Sequence, residues 1–123
     1  MRIDLNNING ISIAEVISEG VIIHETQDAL DLMADCGYQG ARSIIIQEKN
    51  IIPEFFDLKT GIAGDILQRF SNYDVRLAIV GDFSRFKSKS LRDFVRESNR
   101  VGRINFVGSL QEAKDKLTVR FRT

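Results

Sequence analysis

The chain is poor in several residue types, and each shortage narrows what it can do. A single cysteine, Cys36, leaves no intramolecular disulfide, and with no charged-then-apolar leader in the sequence the cytoplasm is the expected address. Cys36 stands at the apolar end of a helical segment, where packing is its expected role. There is one histidine, His24, and no His-x-x-x-His, Cys-x-x-Cys or calcium-loop spacing, so a metal site would need carboxylates; no metal or cofactor is expected. Neither charge is in excess. The 17 Lys and Arg offset 17 Asp and Glu, so no global field draws the chain to nucleic acid or to an anionic membrane. No apolar run reaches the roughly 18 residues of a membrane span. The phosphate loop Gly-x-x-x-x-Gly-Lys-Ser/Thr and the dinucleotide fingerprint Gly-x-Gly-x-x-Gly are also missing, which disfavours nucleotide hydrolysis.

What remains is a chain of 123 residues, 43% hydrophobic and 28% charged, proportions that suit one globular domain over residues 1–123 with an ordinary core. Residues 2–6 and 11–17 are β-branched and apolar-rich around Asn7-Ile8-Asn9-Gly10, a turn sequence, which predicts an opening hairpin. The period then changes. Thr26 is placed to cap a helix carrying Ala29, Leu30, Leu32, Met33 and Cys36 at helical spacing, with Gly37 or Gly40 to stop it. Ile44-Ile45-Ile46 within residues 43–47 and the run Val75-Arg76-Leu77-Ala78-Ile79-Val80 read as buried parallel strands, and residues 103–107 as a fifth strand. Helices are expected over residues 60–70, 90–99 and 110–117, the last introduced by Ser109 with Glu112 three residues on. The order β-β-α-β-α-β-α-β-α predicts an α/β domain with a mixed, mostly parallel five-stranded sheet, whose ligands approach the carboxyl ends of the strands.

Two loops stand out. In the first, the polar turn Asp57-Leu58-Lys59-Thr60-Gly61 opens into an apolar-periodic helix, and a hydroxyl there sits beside unpaired N–H groups and the positive end of the helix dipole. Asp57, Lys59, Thr60 and Gly61 are therefore candidate binding or regulatory residues. The plainer reading is that Asp57 or Thr60 caps the helix while Gly61 and Gly64 let it pack closely. The second loop, Gly81-Asp82-Phe83-Ser84-Arg85-Phe86-Lys87, offers Asp82, Ser84 and Lys87 for a phosphate or carboxylate, with Phe83 and Phe86 to flank an apolar group; a solvated loop before an ordinary cap at Ser88 or Ser90 is the alternative. His24, between Val21-Ile22-Ile23 and Glu25-Thr26, could reach the same edge, as a tuned acid or base or merely as a capping residue. No catalytic residue is assigned, because nothing in the sequence fixes the distance between Asp57 and Asp82.

Residues 55–70, 77–83 and 88–99, together with Asp28-Ala29-Leu30-Asp31-Leu32-Met33, resemble the domain of unknown function 4180 family, and the similarity covers nearly the whole chain. That resemblance implies no activity. The element order further resembles the STAS-like fold of anti-sigma-factor antagonists and their lipid-associated relatives, which implies a mixed sheet with a parallel core. In those antagonists a Ser or Thr at the start of the second helix, in an Asp-Ser-Ser-Gly-Leu-like turn, is phosphorylated by a partner kinase that also binds the unmodified protein. Thr60-Gly61-Ile62 takes the place of Ser-Gly-Leu here, so the resemblance implies a regulatory contact at Thr60. Leu58 and Lys59 replace the acidic and hydroxyl residues before it, the acid is displaced to Asp57, and Gln47 ends the third strand where an Asp is common.

The leading expectation is a non-enzymatic cytoplasmic regulatory module that docks an unidentified protein partner through the edge holding Thr60 and the loop from Asp82 to Lys87. The alternatives are a binding domain for a small acidic or lipid-like ligand, and a small enzyme using Asp57, Asp82 or His24. A flat edge would mark the first, a deep apolar pocket the second, and a tight polar cluster around a perturbed carboxylate the third. Exposed sheet edges add the expectation of a homodimer.

Overall fold

In the computed structural model, which describes residues 1–119, five strands form one sheet in the order β1-β2-β3-β4-β5. β1 (Arg2–Ile8) and β2 (Ile11–Ile17) are antiparallel. Asn9 and Gly10 join them with φ of 54° and 82°, a turn whose twist matches the flanking strands and whose left-handed backbone Asn and Gly tolerate best. β1 therefore runs on through Ile8, paired with Ile11, past the point where the sequence placed the turn. β3 (Ser43–Gln47), β4 (Arg76–Val80) and β5 (Ile104–Val107) follow, each parallel to the strand before it. The helices are α1 (Thr26–Tyr38), α2 (Ile62–Asn72), α3 (Lys89–Val101) and α4 (Leu110–Thr118). This is the predicted order, with the mixed sheet and parallel core that the resemblance implied.

Strand order equals chain order through the parallel part, so right-handed crossovers place α1, α2 and α3 on one face. Packing agrees: Ile44, Ile46, Leu77 and Ile79 share a cluster with Leu32 and Cys36 of α1 and with Ile66 and Phe70 of α2. On the other face Ile13, Ile45, Ala78 and Val107 pack with Ala113 and Leu117 of α4. A strand covered on both faces has no polar side, which is why Ile44-Ile45-Ile46 and Leu77-Ala78-Ile79 are unbroken apolar runs with no exposed surface. Val80 is half-buried, whereas β5 is buried along its whole length.

Arg76 breaks the apolar pattern of β4 for a local reason. It donates from Nη1 to the Val119 carbonyl at 2.9 Å and from Nη2 to the Lys116 carbonyl at 3.0 Å, so its charge sits at the carbonyl end of α4. Burial, and then the nearby Arg103, lower its pKa from the ordinary arginine value.

The starts of α1 and α2 differ from expectation, while the end of α1 falls to one of its two expected stops. Glu25 is the residue before α1, with Thr26 already helical, and the carboxylate of Asp28 accepts from the His24 N–H at 2.8 Å. Gly37 lies inside α1, while Gly40, at φ 90°, follows its end. α2 starts at Ile62 because Gly61, at φ 78°, interrupts the backbone, and Thr60 belongs to a preceding short 3₁₀ turn, Leu58–Thr60. Among the described residues no helix is long and apolar enough to cross a membrane.

Candidate functional site

The loops that follow β2, β3 and β4 all leave the carboxyl edge of the parallel strands, and two contacts fuse them into one surface. The first is Asn50, which is completely buried. Its Nδ2 donates to the Ser18 and Gly20 carbonyls, each at 2.9 Å, and its Oδ1 accepts from the Gln47 N–H at 2.9 Å. The backbone joins in: the Asn50 carbonyl accepts from Ile22 at 2.8 Å and Ile23 at 3.0 Å. A buried amide satisfied this fully holds the first loop against the second.

The second contact is Glu48 with Arg85. The guanidinium grips the carboxylate through both nitrogens, Nη1 to Oε1 at 2.9 Å and Nη2 to Oε2, and Nη1 also donates to the Asp82 carbonyl. Gly81 makes room for Glu48 beneath this clamp. Arg85 lies 4.6 Å from the centroid of the Phe86 ring, and Phe86 stacks on Phe56 with centroids 4.9 Å apart. Phe56 meets Phe55 edge-on at 5.0 Å, and Phe83 meets Phe106 likewise at 5.2 Å, so the aromatic layer runs from the loops into the core.

These residues enclose an open cleft of about 390 Å³, lined by Val21, Glu48, Ile51, Pro53, Phe56, Arg85 and Phe86, with Lys49 at its side. Lys49 is itself paired with Glu19 at 3.6 Å. Phe86 is shared with a second groove of about 290 Å³ along α3, lined by Phe83, Leu91, Arg92, Val95, Arg96 and Asn99. A third, of about 340 Å³, lies between α1 and α2 around Leu30, Met33, Tyr73 and Val75.

Of the residues singled out from sequence, Phe83 and Phe86 line the clefts of the carboxyl edge, whereas His24, Asp57, Lys59, Thr60, Gly61, Asp82, Ser84 and Lys87 lie in its loops without lining either one. Thr60 is exposed and turned inward on its own loop: Oγ1 donates to the Asp57 carbonyl at 2.8 Å and accepts from the Ile62 N–H at 3.2 Å. Asp57 caps the 3₁₀ turn by accepting from the Lys59 N–H at 3.2 Å, Lys59 and Gly61 are exposed, and Gly61 supplies the left-handed residue before α2. Asp82 accepts from the Ser84 hydroxyl at 2.6 Å and the Ser84 N–H at 3.1 Å, and these bonds, hydroxyl first, hold its carboxyl below the ordinary value. Lys87 is exposed just ahead of Ser88, which caps α3 by accepting from the Leu91 N–H at 3.3 Å. His24 pairs through Nδ1 with Asp28 at 3.2 Å, and the His24 backbone bond is the main cause that lowers the Asp28 pKa.

Structure thus brings together Asp57, Lys59 and Thr60 in one turn and Asp82 with Ser84 in another, with His24 on Asp28 apart from both; no hydrogen bond joins the three groups among the described residues. Sequence reasoning missed Glu48 and Asn50, and it had Arg85 in the second loop without its partner. Glu48 and Arg85 stand 37 positions apart, and nothing local marks them as partners. Among the described residues no group of His, Cys, Asp and Glu is arranged to hold a metal ion.

The chain matches the family described as "Domain of unknown function (DUF4180)" over residues 8–117. No curated protein matches it. A solved structure of a candidate anti-sigma factor antagonist from Thermotoga maritima is similar over 94% of this chain and 93% of that chain, at 12% identity with a TM-score of 0.46.

Proposed function

The chain belongs to the domain of unknown function 4180 family, whose description assigns no activity, and we propose from the geometry that it is a non-enzymatic regulatory module that docks a protein partner at the carboxyl edge of its sheet. The observation that carries this reading is the composition of the main cleft. Its two basic residues are already engaged, Arg85 by Glu48 and Lys49 by Glu19, and the remaining lining is Val21, Ile51, Pro53, Phe56 and Phe86. Such a surface favours an apolar side chain presented by a protein over a small acidic ligand, which would need free cations. The neighbouring groove beyond Phe86 adds Arg92, with Arg96 beside it paired to Asp93 at 3.3 Å, so the partner segment suited to both is one with apolar anchors and an acidic residue to meet Arg92.

Thr60 and the loop from Asp82 to Lys87 border this surface, and in this reading they adjust docking from its margin. A lipid-like ligand finds less support in a cleft that stays open to solvent. Catalysis has the least support, since Asp57, Asp82 and His24 are each bonded within their own turn and do not gather around one carboxylate. The module also self-associates in this reading, because β1 closes the strand order with no neighbour on its outer side among the described residues. The test is affinity capture from the native cell with the wild-type chain and with Val21→Asp, whose side chain is partly exposed and leaves the core untouched. Loss of one specific partner with unchanged melting supports docking in the cleft. Retention of every partner contradicts it.

A further inference from the structure

The two edges of the sheet are finished differently. At β5 the outward backbone groups are taken by α3: Asn99 accepts from the Phe106 N–H at 2.6 Å and donates to the Phe106 carbonyl at 3.2 Å, while the Ser98 hydroxyl donates to the Ile104 carbonyl at 2.7 Å. Among the described residues β1, the opposite edge, pairs with β2 alone, and at this edge Met1 and Leu5 are 67% and 44% exposed. A seven-residue strand with an open row of N–H and C=O groups is a template for another strand. The hairpin shows which groups are open. Across a two-residue turn the flanking residues, here Ile8 and Ile11, exchange both backbone bonds, and the pattern alternates from there. Asp4 and Asn6 therefore turn their backbone groups to β2, and Ile3, Leu5 and Asn7 turn theirs outward.

The geometry points to a second copy of this chain as the occupant, joined β1 to β1 in antiparallel fashion about Ile3, an interface that rests on the self-association read above. In that register Ile3 faces the partner's Ile3, Met1 faces the partner's Leu5, and Arg2 faces the partner's Asp4. Alternation along the strand puts Met1, Ile3 and Leu5 on one face and Arg2 and Asp4 on the other, so apolar residues meet on the first and opposite charges on the second. Ile3 has outward backbone groups, so the central pair exchanges both its bonds. Centring on Asp4 instead would set that carboxylate against its own copy, and centring on Leu5 would set Ile3 against Asn7 and Arg2 against Ile8. Self-complementarity of charge across the two-fold is what selects a copy of this chain. In the single chain Arg2 is bonded to Asp4 of its own strand, Nε to Oδ1 at 3.0 Å, an exposed pair that gives way to the cross-strand one without stranding either charge.

Sedimentation velocity over a concentration series, on the wild type, Arg2→Asp, Asp4→Arg and an equal mixture of the two variants, tests this interface. The wild type dimerises, each variant alone is weakened by about tenfold or more through like-charge contacts, and the mixture recovers dimer because each variant then meets its complement. Unchanged melting of both variants shows that the fold is intact. A monomeric wild type overturns both this interface and the self-association. A dimer that neither variant weakens, or a mixture no stronger than its components, overturns the β1 register and leaves self-association standing.

Discussion

Glu48 packs so closely over Gly81 that a Cβ at residue 81 would lie 2.7 Å from the Glu48 Cβ, beneath the carboxylate that Arg85 clamps. The obstructing atom is attached to the backbone of the neighbouring loop and cannot swing aside. Gly81→Ala is expected to push the two loops apart and cost about 1–3 kcal/mol. Denaturant unfolding measures the cost, and wild-type stability in this variant would show that the loops are not in close contact.

Asn50→Ala removes three hydrogen bonds at once and leaves the Gln47 N–H and the Ser18 and Gly20 carbonyls to find water. The expected loss is roughly 2–4 kcal/mol, larger than for a surface asparagine, because the groups left behind are sheltered. Faster hydrogen exchange at Gln47 should accompany it. A loss under about 0.5 kcal/mol would mean that the loops are held by something else.

Thr60 bridges the end of one turn and the start of α2 through its hydroxyl, so Thr60→Ala should cost about 1 kcal/mol and Thr60→Ser almost nothing. Thr60→Glu adds charge near the amino end of α2, where the dipole tolerates it, and should leave melting close to wild type while altering partner capture. Melting curves set beside capture separate the two roles. If the variants differ in stability yet keep every partner, Thr60 is structural only.

Cys36 has no exposed surface, and burial, with a smaller push from Asp35, raises its pKa to about 11. The thiol should therefore resist alkylation at pH 8 in the folded protein and react on unfolding. Its folded pKa lies above the unfolded value, so its contribution to stability is complete below about pH 9 and declines as pH rises towards 11. A pH series of melting temperatures should show a shallower alkaline decline in Cys36→Ala than in the wild type. Rapid labelling of native protein at pH 8 would contradict the buried placement.

Much of this architecture was legible because it is local or periodic. Ile44-Ile45-Ile46 could be read as a buried strand because a strand covered on both faces leaves no polar alternation, and Ser109 with Glu112 could be read as a helix start because capping needs only neighbouring residues; Ser109 does accept from the Glu112 N–H at 3.1 Å. Thr60 was recognisable as a hydroxyl near a helix, but the left-handed Gly61 that sets it one turn outside α2 is a backbone property. The cleft was illegible for a different reason. Arg85 reads as an ordinary loop cation until β3 and β4 pair and bring Glu48 beneath it, and nothing marks Asn50 until carbonyls 30 and 32 positions earlier close on its amide.

Docking at the carboxyl edge is tested most directly by hydrogen exchange on the wild-type chain alone and in complex with the partner that capture recovers. Slowed exchange in residues 21–24, 48–56 and 83–86 is the predicted footprint, because these segments form the cleft and its Phe86 wall. Protection confined to the groove between α1 and α2, or to α4, with the three loops unchanged, would contradict it.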